Sequence, residues 1–322
     1  WGQRYTRDTF GVLSDCFWLP DTFGYSAAIP QIMRGFGVKY FLTTKLAWND
    51  TNTFPYETFT WRGIDGTDVL AHFFVMDTWP DPKGLLERVN GVGYRDCLHN
   101  KQISHQRLIA FGYGDGGGGP CRDHIEYALR ERDLEGMPKV EMCSPLEFFE
   151  ALQAKGGPQN TWDGELYFNA HRGTYTTQAS VKKNNRLSER ALHHMELWGA
   201  LAARHGHPYD AEQAQRLWKT LLLNQFHDIL PGSSIARVYN EANQALEALQ
   251  RDAQTLCTDA RRALLRPVKQ DDAVTVFNGL GFAREELVAL PQAFAHGAQT
   301  AEGEPVAVCG TQALVTLPAL GA

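Results

Sequence analysis

Four stretches of the 322-residue sequence carry side chains able to do chemistry. In WLPDTFGYS, Trp18 to Ser26, one carboxylate, Asp21, stands in an apolar and aromatic run. Such a group either sits on an exposed Pro-Asp-x-x-Gly turn or is buried, where it needs a cation or a ring of donors. In YGDGGGG, Asp115 precedes four glycines. Ordering that many glycines costs backbone entropy, so the run is either a flexible linker or a place where something approaches the main chain closely. No Gly-Lys-Ser/Thr ending follows, which argues against a phosphate loop. In LLLNQFHDILPGSS, His227 and Asp228 fall where a helical stripe ends. The imidazole there either caps helix carbonyls or ligates a metal, with Asp228 orienting it or holding substrate hydroxyls. In GELYFNAHRGTYTTQA, His171, Arg172, Tyr175, Thr176 and Thr177 concentrate donors in one irregular segment, which is either substrate-binding or a well-bonded linker.

These residues need elements to position them. Up to about Lys155, short β-rich runs alternate with helical patterns: KYFLTT, DVLAHFFVM, RLIAFGYGD and KVEMCS. This alternation predicts parallel strands with crossover helices, whose carboxyl ends carry the chemistry. WLPDTFG and FGYGDGGGGP are placed to be loops of that kind. Ser144, Pro145 and Glu147 predict the start of a helix that Gly156 and Gly157 end. From about Arg186 three amphipathic stripes predict a helical bundle. The first runs Leu187, Ala191, Met195, Trp198, Leu201, and the second Ala214, Leu217, Leu221, Leu222. A longer third stripe runs from Val238 to Leu264, and Pro231-Gly232 is expected to stop the second helix just after His227-Asp228. After Pro267, AVTVFNG, ELVALP, PVAVCG and ALVTL predict the start of an all-β domain.

Composition narrows the function classes. The chain is 43% hydrophobic and 21% charged with a formal net charge of -6, which is globular and offers no basic footprint for nucleic acid. No apolar run is long enough to span a bilayer. Six cysteines are scattered without CxxC spacing, the pattern of free thiols in a reducing, cytoplasmic compartment. The sequon Asn49-Asp50-Thr51 points the other way and is read as chance. The sequence opens on Trp1-Gly2 in mid-pattern and closes on VTLPALGA within a strand series, so an internal piece of a longer polypeptide is expected.

The motifs WLPDTFGYSAAIPQI, FLTTKLAWNDTNTFPYETFTWRGIDGTDVLAHF, GDGGGGP, GELYFNAHRGTYTTQA and NQFHDILPGSS together resemble those of the class II α-mannosidases, glycoside hydrolase family 38. The resemblance runs in order from the first residues to about residue 240 and is strongest to the bacterial and cytosolic branch. It implies a multidomain α/β protein: a seven-stranded α/β barrel, here partial (1–158), then a three-helix bundle (159–268), then the start of a β-sandwich (269–322). It implies Asp21 as nucleophile and zinc ligand, His227 as a second ligand, and Asp228 as a contact to sugar hydroxyls. Lys45 falls where the family places a cation near the nucleophile. Arg172 and Tyr175 join the substrate-binding candidates. Asp115 matches the acid/base, in a loop whose register is open by one residue. The implied activity is zinc-dependent, retaining hydrolysis of terminal α-linked mannose in an oligosaccharide, which requires two carboxyls roughly 5 Å apart. Oxygen and imidazole donors suit Zn2+ and also Co2+.

One departure stands out: the family's zinc site takes a His and an Asp from an H-x-D motif, and no H-x-D occurs in this sequence. The motif is expected upstream of Trp1, leaving two of four ligands here, a weak site alone, so the full-length protein is expected to be active and this piece inactive. Two rival readings are a metal-dependent deacetylase or phosphatase and a non-catalytic mannoside-binding homologue. Homo-oligomerisation is left open.

Overall fold

The computed structural model describes residues 1–90, 105–115, 117–265, 273–291, 294 and 297–321. They form two compact units, Trp1–Tyr175 and Thr176–Ala322.

The first unit holds strands β1 (Cys16–Trp18), β2 (Gly24–Tyr25), β3 (Tyr40–Thr43), β4 (Thr58–Arg62), β5 (Asp68–Phe73), β6 (Val75–Thr78), β7 (Ile109–Phe111), β8 (Thr161–Asp163) and β9 (Leu166–Tyr167). Its helices are α1 (Gly2–Phe10), α2 (Ile29–Gly35), α3 (Pro82–Asn90), α4 (Arg122–Arg130) and α5 (Pro145–Ala154). The main sheet has the order β1-β3-β5-β4-β8. β1, β3 and β5 run parallel, whereas β4 returns antiparallel to β5. That hairpin departs from the expected crossover pattern because Gly63-Ile64-Asp65-Gly66-Thr67 closes a tight turn, with Gly63 N–H donating to Thr67 O at 2.8 Å. Only Phe74 separates β5 from β6. Its N–H donates to Thr43 O at 3.0 Å, and beyond it β6 pairs in parallel with β7.

β3 is buried along its whole length, which explains its unbroken apolar run. Phe41 enters an aromatic core with Tyr25, Phe59, Trp61 and Phe73. Its neighbours Tyr40 and Leu42 face the opposite way, into a second cluster with Phe148 and Phe149 of α5. Ser144 caps α5 as expected: it accepts the Glu147 N–H at 3.3 Å while the Glu147 carboxylate accepts the Ser144 N–H at 2.7 Å. His72 of β5 is fully buried. It accepts the Leu108 N–H at Nε2 (3.2 Å), so its proton sits on Nδ1, which donates to Thr58 Oγ1 at 2.9 Å. One imidazole therefore ties β5 to β4 and to the start of β7. KVEMCS forms no strand, and residues 138–144 run as irregular chain into the α5 cap.

In the second unit α6 (Ala179–Ala203), α7 (Ala211–Asn224) and α8 (Ala236–Leu264) share a core of Leu192, Met195, Trp198, Leu217, Leu221, Leu246 and Leu249. The buried face of α6 is rotated from the expected stripe: Leu187 and Leu201 are exposed, while Val181, Asn184, Ser188 and Leu192 are buried. The cause is a buried polar seam. Asn184 donates to Asn243 Oδ1 at 2.9 Å, and Gln250 of α8 donates to Asn184 O and Ser188 Oγ. α7 ends at Asn224, short of His227. The Gln225 amide donates instead to Asn185 Oδ1 and Glu189 Oε1, both at 3.1 Å, which draws it toward α6. The remaining strands are β10 (Arg284–Ala289), β11 (Ala298–Gln299), β12 (Pro305–Val306), β13 (Val308–Cys309) and β14 (Gln312–Leu317). They pair antiparallel as β10-β14-β13 and β11-β12. AVTVFNG forms no strand; its Asn278 is buried and donates to Phe282 O and Pro318 O.

Candidate functional site

The loop after β1 is built by the end of β3. Leu19 N–H donates to Leu42 O, and the N–H groups of Thr44 and Lys45 converge on Pro20 O at 3.2 and 3.1 Å. The Tyr25 hydroxyl donates to Leu19 O at 2.7 Å and meets Thr43 Oγ1 at 2.9 Å. Burial pushes that phenol up to about 12, so it remains a neutral donor. These bonds set Asp21 at the carboxyl end of β1 beside Lys45, which opens a turn of 3-10 helix, Lys45–Trp48, at the carboxyl end of β3. Lys45 Nζ lies 2.8 Å from Asp21 Oδ1, with the lysine side chain 10% exposed and the aspartate 29%. The ammonium also faces the Trp48 ring at 4.6 Å and the Phe23 ring at 5.5 Å. Asp21 is thus a partly accessible carboxylate paired with a nearly buried cation: it combines the partial exposure of the first arrangement open to it in the sequence with the cation of the second.

A second segment docks on this loop. β9 pairs antiparallel with β2, and Gly24 approaches so closely that a Cβ there would lie 3.1 Å from Leu166 O. Phe23 packs against Phe168 and edge-on to His171. Asn49 and Asn169, both buried, clasp each other's chains. Asn49 Oδ1 accepts the Asn169 N–H at 2.8 Å, Asn49 Nδ2 donates to Tyr167 O at 3.3 Å, and Asn169 Oδ1 accepts the Asp50 N–H at 3.2 Å. The sequon asparagine is therefore committed to the fold. Arg172 donates to Asn169 O at 3.1 Å, and the exposed Tyr175 stacks on Tyr167 with centroids 6.3 Å apart. The 164–179 segment begins as part of the Asp21 loop's own scaffold; Asn49, Asn169 and Phe23 were missed in the sequence, where the Asn-Asp-Thr match was the one visible signal.

Asp115 lies in a different setting. It follows β7 on a hairpin in which Tyr113 N–H donates to Gly118 O and Gly117 N–H to Gly114 O. The carboxylate is exposed. At the hairpin base Gly112 has φ +144, and a Cβ would meet the backbone of Gly119 and Pro120 at 3.2 and 3.3 Å. The glycine run is thus an ordered turn at its described positions; Gly116 lies outside the described residues. Because β1, β3, β5 and β7 share one direction through the β5-β6 continuation, Asp21, Lys45 and Asp115 all follow carboxyl strand ends.

In the second unit His227 lies in the turns after α7, its ring centroid 4.1 Å from that of Phe226 and tilted to it by 39°, with Nε2 3.7 Å from Asp228 Oδ2. Asp228 Oδ1 accepts the Ser233 hydroxyl at 2.8 Å. Among the described residues no group of three or more His, Cys, Asp or Glu forms a ready metal cluster. The donor types present in Asp21 and His227, a carboxylate oxygen and an imidazole nitrogen, fit zinc in kind. The five described cysteines are free thiols; Cys97 lies outside the described residues. No helix among the described residues is long and apolar enough to cross a membrane.

Comparison with known proteins follows the same division. Residues 1–165 match the glycosyl hydrolases family 38 N-terminal domain, and residues 169–264 match the alpha mannosidase middle domain. The chain is 40% identical over 322 residues to human alpha-mannosidase 2C1, covering 99% of this chain and 29% of that protein. It is 42% identical over 243 residues to Dictyostelium discoideum alpha-mannosidase G, covering 75% of this chain and 22% of the relative. A crystal structure of an alpha-mannosidase from Enterococcus faecalis V583 shares its fold with TM-score 0.68 at 18% identity, over 89% of this chain and 34% of that one. The chain thus spans less than a third of the length of these curated relatives.

Proposed function

From the premise that this chain belongs to glycosyl hydrolase family 38, we propose that it carries part of a retaining α-mannosidase that removes terminal α-linked mannose from oligosaccharides. The observation that carries this reading is the Asp21 carboxylate, held 2.8 Å from Lys45 at the carboxyl end of a parallel strand. In the proposed first step an Asp21 oxygen attacks the anomeric carbon, the carbon–oxygen bond to the leaving group breaks, and that oxygen takes the proton of Asp115. In the second, water attacks the same carbon and gives its proton to Asp115, and the bond to Asp21 breaks. Lys45 balances the carboxylate as it leaves. Arg172, Tyr175 and Asp228 are assigned to sugar hydroxyls and ring faces.

Zinc is proposed as cofactor, with cobalt as an alternative, Asp21 and His227 contributing one donor each. Bound there, the ion would supply Lewis acidity and a template for neighbouring sugar hydroxyls. Two donors make a weak site, so the 322 residues alone are proposed to be inactive. The finer architecture proposed is a barrel segment (1–158), a three-helix bundle (159–268) and the start of a β-sandwich (269–322). The free cysteines support a reducing, cytoplasmic setting.

The test is covalent trapping. The full-length protein is treated with a fluorinated mannoside that slows the second step, digested, and the labelled peptide sequenced. A mannosyl label on Asp21 is expected; a label elsewhere, or turnover with no covalent intermediate, defeats the assignment.

A further inference from the structure

The strand that continues past β5 places aromatic side chains beside the Asp115 hairpin. Thr78, the last residue of β6, is in register with Phe111, the last of β7. Trp79 therefore stands next to the chain that turns through Gly112, Tyr113 and Asp115. The Trp79 and Tyr113 rings meet edge to face at 5.9 Å, and they remain 41% and 47% exposed. Neither is loosely placed. The fully buried His124 of α4 lies 4.0 Å from the Trp79 ring and 5.2 Å from the Tyr113 ring. His124 is itself fixed, because its Nδ1 accepts the Cys121 N–H at 3.0 Å in the α4 cap. The Tyr113 ring also lies across Gly118 on the opposite arm of the hairpin, 3.4 Å from where a Cβ would stand. Two large aromatic faces are thus held rigid against a buried backing and left open to solvent, on the loops adjoining a carboxylate.

We propose that Trp79 and Tyr113 form the leaving-group subsite, an aromatic platform for the pyranose ring on the far side of the scissile bond. This rests on the reading of Asp115 as the proton donor. The proton must reach the glycosidic oxygen, so whatever flanks the donor faces the departing sugar rather than the mannose being attacked. A pyranose presents a face of C–H groups that packs on an aromatic plane, and rigid aromatics offer that contact at small entropic cost. The substrate class that follows is a mannoside whose leaving group is another sugar.

The experiment compares two substrates in the full-length protein. In α-mannosyl fluoride the leaving group has no ring and needs no proton; in an α-mannobiose it has both requirements. For Trp79→Ala and Tyr113→Ala, the ratio of kcat/KM for the disaccharide to that for the fluoride is expected to fall about tenfold or more, and for Trp79→Phe less than threefold. A ratio unchanged in both alanine variants, whether activity is kept or lost on both substrates alike, overturns the subsite. If the wild-type protein turns over neither substrate, the hydrolase reading fails first and the subsite with it.

Discussion

Two carboxylates follow carboxyl strand ends of the first unit and are held in opposite ways. Asp21 is paired with a nearly buried lysine, and its loop is tied by main-chain bonds to β3 and by a buried tyrosine. Asp115 stands exposed on a glycine hairpin whose fixed points are its base and the Tyr113 ring. The contrast suits the proposed division of labour. A nucleophile gains from being aimed beforehand, since misplacement by an ångström costs orders of magnitude in rate. A proton donor must change charge in every cycle, and a substrate closing over an exposed acid can supply the dehydration that favours its neutral form.

The largest test of the contrast is in rates. Asp21→Asn is expected to lower kcat/KM at least about 1,000-fold on both α-mannosyl fluoride and a disaccharide, because the bond-forming group is gone. Asp115→Asn should lose about 100-fold or more on the disaccharide and far less on the fluoride, whose departure needs no proton. Equal losses in the two variants on both substrates would erase the distinction between them.

Next in size is an acid effect centred on His72, whose burial lowers its pKa from 6.5 to about 3. Between those values the unfolded chain binds a proton that the folded chain refuses, so stability rises with pH across that window. It is complete above about pH 7 and is lost as pH falls through 6.5 toward 3, at up to about 1.4 kcal/mol per pH unit. Since His72 accepts the N–H of Leu108, the residue just before β7, amide protection factors, corrected for the intrinsic pH dependence of exchange, should fall in 108–115 before they fall in 16–25 as pH is lowered. Simultaneous loosening would mean that the two loops are not separately anchored.

Gly112→Ala should cost about 1–3 kcal/mol in urea unfolding, from the φ of +144 and the crowded Gly119 backbone, with its kinetic effect confined to the proton-dependent substrate. Smallest is Lys45→Met, at about 1 kcal/mol of stability, because the partner carboxylate is 29% exposed and water screens the pair. Loss of more than about 3 kcal/mol would indicate that Asp21 is sequestered far more than its exposure suggests.

The sequence disclosed the parts of this architecture that local rules control. The Ser144-Glu147 cap follows from hydrogen-bonding groups three residues apart, and β3 from an apolar run of strand length. Phase was misread where burial is polar: a count of apolar residues along α6 cannot register Asn184 and Ser188, which face α8. Irregular chain was misread where β-prone residues lack a partner strand, as in KVEMCS and AVTVFNG. For the site, Asp21 and Asp115 stood out by chemical oddity, whereas Lys45 entered through resemblance to a family. The Asn49–Asn169 clasp joins residues 120 positions apart and leaves no periodic trace. His72 did leave one, a lone imidazole inside DVLAHFF, but its hydrogen-bond partners, the Thr58 hydroxyl that accepts and the Leu108 N–H that donates, emerge only once three strands lie side by side.

That clasp bears on how the protein can be produced. A eukaryotic secretory host reads Asn49-Asp50-Thr51 while the chain is still emerging, long before Asn169 has been synthesised. A glycan attached at that moment would occupy the amide nitrogen that later reaches the Tyr167 carbonyl, and the loop bearing Lys45 would lose one of its hydrogen bonds to 166–175. Bacterial expression, or Thr51→Ala in a secreting host, leaves the nitrogen free to complete the fold.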